Sequence, residues 1–166
     1  IDQALRVQPE LAQQMFPVVA SVVAQNPADV AKLLLQQPPW RTSFLIQLVK
    51  HGQDSPALPR LFDMLRRSPG GLSPMELSAW LDRLIRNGQW GPAYLSWVES
   101  LSPEASKRIG NVYNGGFELE PSQLGFDWRF GRVPGARVSR SEVTGSGGQF
   151  ALRVDFEDRR VPFRQV

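Results

Sequence analysis

Apolar residues recur at intervals of three and four along the first two thirds of the chain. The sets are Leu33-Leu34, Phe44-Leu45-Leu48-Val49, Leu58-Leu61-Phe62-Leu65, Leu77-Trp80-Leu81-Leu84-Ile85 and Tyr94-Trp97-Val98-Leu101. This spacing puts each set on one face of an α-helix, so it predicts amphipathic helices of about ten to fifteen residues joined by short loops. Asn26-Pro27, Ser73-Pro74 and Ser102-Pro103 each pair an N-capping residue with a proline at the first helical position, and Ser73 with Glu76 forms a capping box. After Gly110 the period changes to two. Phe150, Leu152, Val154 and Phe156 alternate with Ala151, Arg153, Asp155 and Glu157, the pattern of a half-buried strand. Further strands are predicted over 112–119, 126–132, 136–144 and 161–166, separated by proline, glycine and Asp158, giving five antiparallel strands.

Composition places the change of pattern at the same point. Eleven of the fourteen prolines precede residue 109 and nine of the fourteen glycines follow it, so punctuation shifts from helix starts to turns. The expected domains are 1–108, all-α, and 109–166, β. With 166 residues, 42% of them hydrophobic, the chain suffices for one generous domain or two small ones, each with a core. It opens at Ile1 in a helical pattern and stops at Val166 in an extended one, and so reads as a fragment; no apolar run is long enough for a membrane span.

Within the first part, Gly52-Gln53, Pro56-Ala57, Leu61 and Leu65 return 36 residues later as Gly88-Gln89, Pro92-Ala93, Trp97 and Leu101. A helix closed by glycine, a short turn, and a helix whose alanine admits a close neighbour make up the unit of a helical-hairpin repeat. The spacing of Gly88, Ala93 and Trp97, and of Gly52, Ala57 and Leu61, resembles tetratricopeptide-like repeats. Departures are a longer period and Pro59 inside a second helix. A divergent helical segment over 9–37 precedes the two readable repeats.

In the second part, Asn114-Gly115-Gly116-Phe117-Glu118, then Phe126-Asp127-Trp128, then Gly147-Gly148 before Ala151-Leu152-Arg153-Val154 resemble the opening of jelly-roll carbohydrate-binding modules. The same order of features is similar to bacterial proteins that pair helical repeats with such a module near exopolysaccharide export. The resemblance implies a periplasmic or cell-envelope setting, and sugar binding in which Trp128 stacks on a pyranose face while Asp127 and Arg129 bond hydroxyls. In the resembled modules the early tryptophan is more often core, and charged residues beside a buried aromatic are also ordinary strand alternation. The resemblance further implies a structural calcium held by Glu118, an ion that takes six to eight oxygens. Five strands cannot close a sandwich that uses about eight, so the open face needs a cover from the helices, a second copy or a continuation of the chain.

Charge and chemistry-bearing residues narrow the function. Nineteen Lys and Arg against sixteen Asp and Glu leave +3, which forces no nucleic-acid or membrane footprint. The absence of cysteine excludes disulfides and thiolate chemistry, and a single histidine, His51, leaves little material for zinc sites or histidine-based catalysis. His51 precedes Gly52, where a contact with the helix C-terminal dipole accounts for it. Glu118 and Glu120 share one face of a strand, whereas glycoside hydrolysis needs two carboxylates about 5–9.5 Å apart across a scissile bond. Gly145-Ser146-Gly147-Gly148 lacks the lysine of a phosphate loop and reads as a hairpin. Eight arginines after residue 108 face seven acids, a balance that favours cross-strand pairing. Trp90, between Gln89 and Gly91, is a candidate exposed contact.

The expectation is a segregated α+β chain: a helical-hairpin repeat that docks a protein partner in its groove, then a partial antiparallel jelly-roll sandwich that binds carbohydrate. The candidate ligand-binding residues are Trp128, Asp127, Arg129 and Trp90, and the candidate metal ligand is Glu118. No cofactor is required, no catalytic residue is assigned, and neither nucleic acid nor membrane insertion is expected. The alternatives are a structural scaffold without sugar affinity and, more distantly, a glycoside hydrolase.

Overall fold

The structure is a computed structural model that describes residues 18, 20–52, 55–145 and 147–157. The chain is mixed helix and strand, and it divides into two compact units, 1–90 and 91–166. After helical residues 20–25 come α1 (Pro27–Leu34), α2 (Arg41–His51), α3 (Ala57–Arg66), α4 (Pro74–Arg86), α5 (Trp90–Val98) and the single turn α6 (Pro103–Ser106). Among the described residues the strands are β1 (Ala136–Glu142) and β2 (Phe150–Phe156). Among the described residues no helix is long and apolar enough to cross a membrane.

Helix starts follow local chemistry. The Asn26 side chain accepts from Asp29 N with Pro27 behind it, Ser102 does the same for Ala105 N with Pro103, and both bonds of the Ser73–Glu76 capping box are present. Pro59 is the third residue of α3, inside the first turn, where backbone N–H groups have no helical acceptor and a proline is tolerated. The helix ends differ. At Gly88, φ is +70°, and Gly88 N and Gln89 N bond Ile85 O and Leu84 O, a Schellman cap. Gly52 ends α2 in an extended conformation, with φ −64° and ψ 141°.

In the first unit α1 packs on α3 and α2 on α4. The core includes Val30 and Leu34, Phe44, Leu45 and Leu48, Leu58, Leu61, Phe62 and Leu65, and Leu77, Trp80, Leu81 and Leu84. The Phe62 and Trp80 rings stack with centroids 4.4 Å apart. Two arginines are buried in this core and donate to partners there. Arg41 donates from Nε and Nη2 to both carboxylate oxygens of Glu76 at 3.1 and 2.9 Å, and to Leu34 O and Gly71 O at 3.3 and 2.7 Å. Arg83 reaches from α4 to the end of α2, donating to Val49 O at 2.6 Å and Gly52 O at 3.0 Å. It thereby satisfies carbonyls that a helix end leaves without partners.

The second unit begins at Gly91, so that most of α5 and all of α6 fall in it ahead of the composition change near Gly110. The reason is packing: Trp97 of α5 lies edge-on to Tyr113 at 4.8 Å and tilted to Phe126 at 5.6 Å, so this helix carries the aromatic core of the segment that follows it. Strands predicted over 112–119 and 126–132 are turns and irregular chain. Within the first span Asn114 and Phe117 have φ of 47° and 55°, left-handed values that no pleated strand accommodates, and Gln123 and Gly125, at 59° and 60°, turn the chain just before the second. The strand expected over 161–166 lies outside the described residues, as does most of 9–19. Among the described residues the sheet is one antiparallel hairpin, with Ala136 opposite Phe156 and Glu142 opposite Phe150. The alternation in β2 predicts burial of every second residue. In fact the apolar face is open at its far end, with Val154 and Phe156 exposed.

Candidate binding groove in the second unit

The Asn-Gly-Gly-Phe-Glu segment folds into a knot of side-chain-to-backbone bonds. Asn114 sits at a left-handed φ that asparagine tolerates, and its amide both donates to Leu119 O at 2.8 Å and accepts from Leu119 N at 3.0 Å. Trp128 closes the knot from the other side: its indole Nε1–H is shared between Tyr113 O at 3.1 Å and Asn114 O at 3.2 Å, and its ring tilts against Phe117 at 4.9 Å. Asp127 is buried, accepting from Ser122 N and Oγ at 2.6 and 2.7 Å and from Trp128 N at 2.7 Å. Its carboxylate shapes the turn over 122–128.

The knot is bound to the hairpin by two residues. Glu118 Oε1 accepts from Gln149 N at 3.0 Å and Phe150 N at 3.3 Å, which holds the start of β2. A Cβ at Gly148 would overlap that oxygen, so the glycine is needed for the approach. Arg140 shares the apolar face of the hairpin with Val138 and Leu152. It places its guanidinium 3.2 Å from the Phe150 ring centre and donates to Phe117 O at 2.6 Å and Glu118 O at 2.9 Å.

Beside the knot lies an open groove of about 630 Å³, lined by Tyr94, Trp97, Tyr113, Phe126 and Trp128 together with Asp127 and Arg129. Tyr94 and Phe126 meet edge-on at 5.3 Å, and both rings contact Trp97, so part of the wall is a cluster of touching aromatic rings. Burial, and secondarily the Asp127 carboxylate, push the Tyr113 hydroxyl above its ordinary pKa of 10.0, so it remains a neutral donor and acceptor around neutral pH. The buried Trp97 Nε1–H has no acceptor among the described residues.

Three of the sequence-predicted ligand residues, Asp127, Trp128 and Arg129, come together at this groove. Trp90 belongs to the first unit, where it opens α5 with 58% of its surface exposed. Glu118 lies against the hairpin. Among the described residues no three His, Cys, Asp or Glu side chains converge, and Glu118 already serves two backbone amides, so these residues do not by themselves fit a calcium site. His51 is the last residue of α2, in the first unit. Sequence reasoning missed Tyr94, Tyr113 and Phe126 as groove residues and Arg140 as the link to the hairpin. The one sequence signal for Arg140 is a charge at an apolar-face position of a strand. Comparison with protein-family models, with curated proteins and with solved structures finds no match to the chain.

Proposed function

We propose that the chain is a non-catalytic binding protein whose second unit takes carbohydrate in the aromatic groove. The observation that carries this reading is the gathering of Trp128, Tyr113 and Phe126 beside Asp127 and Arg129. Aromatic walls match the apolar faces of sugar rings, the exposed Arg129 side chain suits hydroxyl acceptors, and the buried Asp127 carboxylate holds the turn that presents both Arg129 and Trp128. The binding is to a neutral or weakly acidic polysaccharide in a bacterial envelope setting, the context that the sequence resemblance implies. The second unit is then the opening part of a jelly-roll-like sandwich.

The first unit serves as a protein-docking scaffold. The alternate packing of α1 on α3 and α2 on α4 supports a stack of helical hairpins. A shallow cleft of about 290 Å³ between α2 and α4, lined by Ile46, Lys50, Met75, Asp82 and Arg86, supplies mixed apolar and charged contacts. A scaffold without sugar affinity is the second reading, favoured by that cleft alone.

Affinity electrophoresis of the whole chain through gels cast with different polysaccharides tests the proposal. Retardation is expected with at least one polymer, lost in Trp128→Ala and weakened in Arg129→Gln. Since Trp128 also ties down Tyr113 and Asn114, far-UV circular dichroism accompanies each variant. Uniform mobility in every polymer rejects the sugar reading and leaves the scaffold. Release of reducing sugar that stops in Glu118→Gln rejects the non-catalytic one.

A further inference from the structure

The outer edge of β2 is complementary to itself. Glu157 N donates to Gly135 O at 2.7 Å and Val143 N to Gln149 O at 3.0 Å, so odd-numbered residues of this strand bond toward β1. Antiparallel ladders alternate. The N–H and C=O groups of Leu152, Val154 and Phe156 therefore point to the opposite edge, where no strand lies among the described residues. These same residues carry the apolar face, and Val154 is 40% and Phe156 62% exposed. An edge open in both backbone and apolar face is suited to pairing with another strand.

Charge selects which strand. When two copies of β2 pair antiparallel about a two-fold axis through Val154, Leu152 stands opposite Phe156 of the other copy and Val154 opposite Val154. Each of these pairs exchanges hydrogen bonds from groups already aimed outward. On the other face Arg153 meets Asp155 of the other copy, and Asp155 meets Arg153, so two cross-strand ion pairs form. Within one strand these side chains already reach each other, Arg153 Nε to Asp155 Oδ1 being 2.9 Å. An axis through Arg153 instead sets two arginines opposite each other, and a one-residue slip sets apolar against charged side chains. We infer that β2 is a homodimerisation edge, through which two copies of this chain join their hairpins into a four-stranded antiparallel sheet with an isologous interface. This inference does not depend on what the groove binds.

Analytical ultracentrifugation of the full chain over a dilution series tests it. The expected result is a two-fold rise in mass with concentration. R153D sets Asp against Asp and D155R sets Arg against Arg, and each weakens association about ten-fold. The swap R153D/D155R restores it. In the unaltered chain, hydrogen exchange at the amides of Leu152, Val154 and Phe156 slows with concentration while that at Arg153 and Asp155 does not, a readout that needs no variant to fold. A single monomer mass at every concentration, the result if another protein's strand takes this edge, overturns the inference. So does a dimer indifferent to both single reversals, or a swap that fails to restore association.

Discussion

Arg41 and Glu76 face each other inside the helical unit with almost no access to water, and each has further partners: Leu34 O and Gly71 O for the arginine, Thr42 Oγ1 and Ser73 N for the glutamate. Removing one partner leaves the other charge buried and uncompensated. Arg41→Ala is expected to cost about 3–5 kcal/mol in urea denaturation. Arg41→Lys recovers only part of that, because an ammonium cannot reproduce the bidentate fork. Tyr113 gives a pH signature of opposite location. The native state holds its phenolic proton more tightly than the unfolded chain does, so this contribution to stability is intact below pH 10.0 and declines as pH rises from there through the raised pKa. Thermal melts between neutral and strongly alkaline pH should show a smaller alkaline loss in Tyr113→Phe than in the parent. An equal loss would assign the effect to other groups.

Gly52 and Gly88, 36 residues apart in the sequence, do different work at the ends of their helices. Gly88 has positive φ and open space around it, so alanine there meets only backbone strain, about 1–2 kcal/mol. At Gly52 a Cβ would stand 2.3 Å from Leu48 O, so Gly52→Ala should destabilise more than Gly88→Ala in the same denaturation assay. Helix boundaries were legible because capping is local: Asn26, Ser73 and Ser102 each bond an amide three residues on. The strands before residue 133 were misread because alternation says nothing about φ. There Asn114 and Asp127 each bond a backbone group five residues away and set left-handed turns through apolar–polar sequence that imitates a strand. Asp127, Trp128 and Arg129 were legible as neighbours along the groove because they are contiguous. Tyr94, Tyr113 and Phe126 were not, since only folding brings them together.

Among the described residues, all of the buried hydrophobic side chains except Ala93 and Trp97 belong to the first unit. Apolar burial is the main source of protection against local opening. Native-state hydrogen exchange should therefore find the amides of α2, α3 and α4 exchanging near the global limit and those of the hairpin exchanging faster by at least one order of magnitude. Comparable protection in both would mean that the second unit draws stability from burial outside the described residues. Glu76 adds a condition on how the first unit forms. One oxygen takes the Ser73 amide and Arg41 Nη2, and the other takes Arg41 Nε and Thr42, so the device that starts α4 is also the docking point for α2. The start of one helix and the seat of another thus share one carboxylate, and α4 excised as a peptide keeps its Ser73 contact but loses the Arg41 and Thr42 partners that hold Glu76 in place.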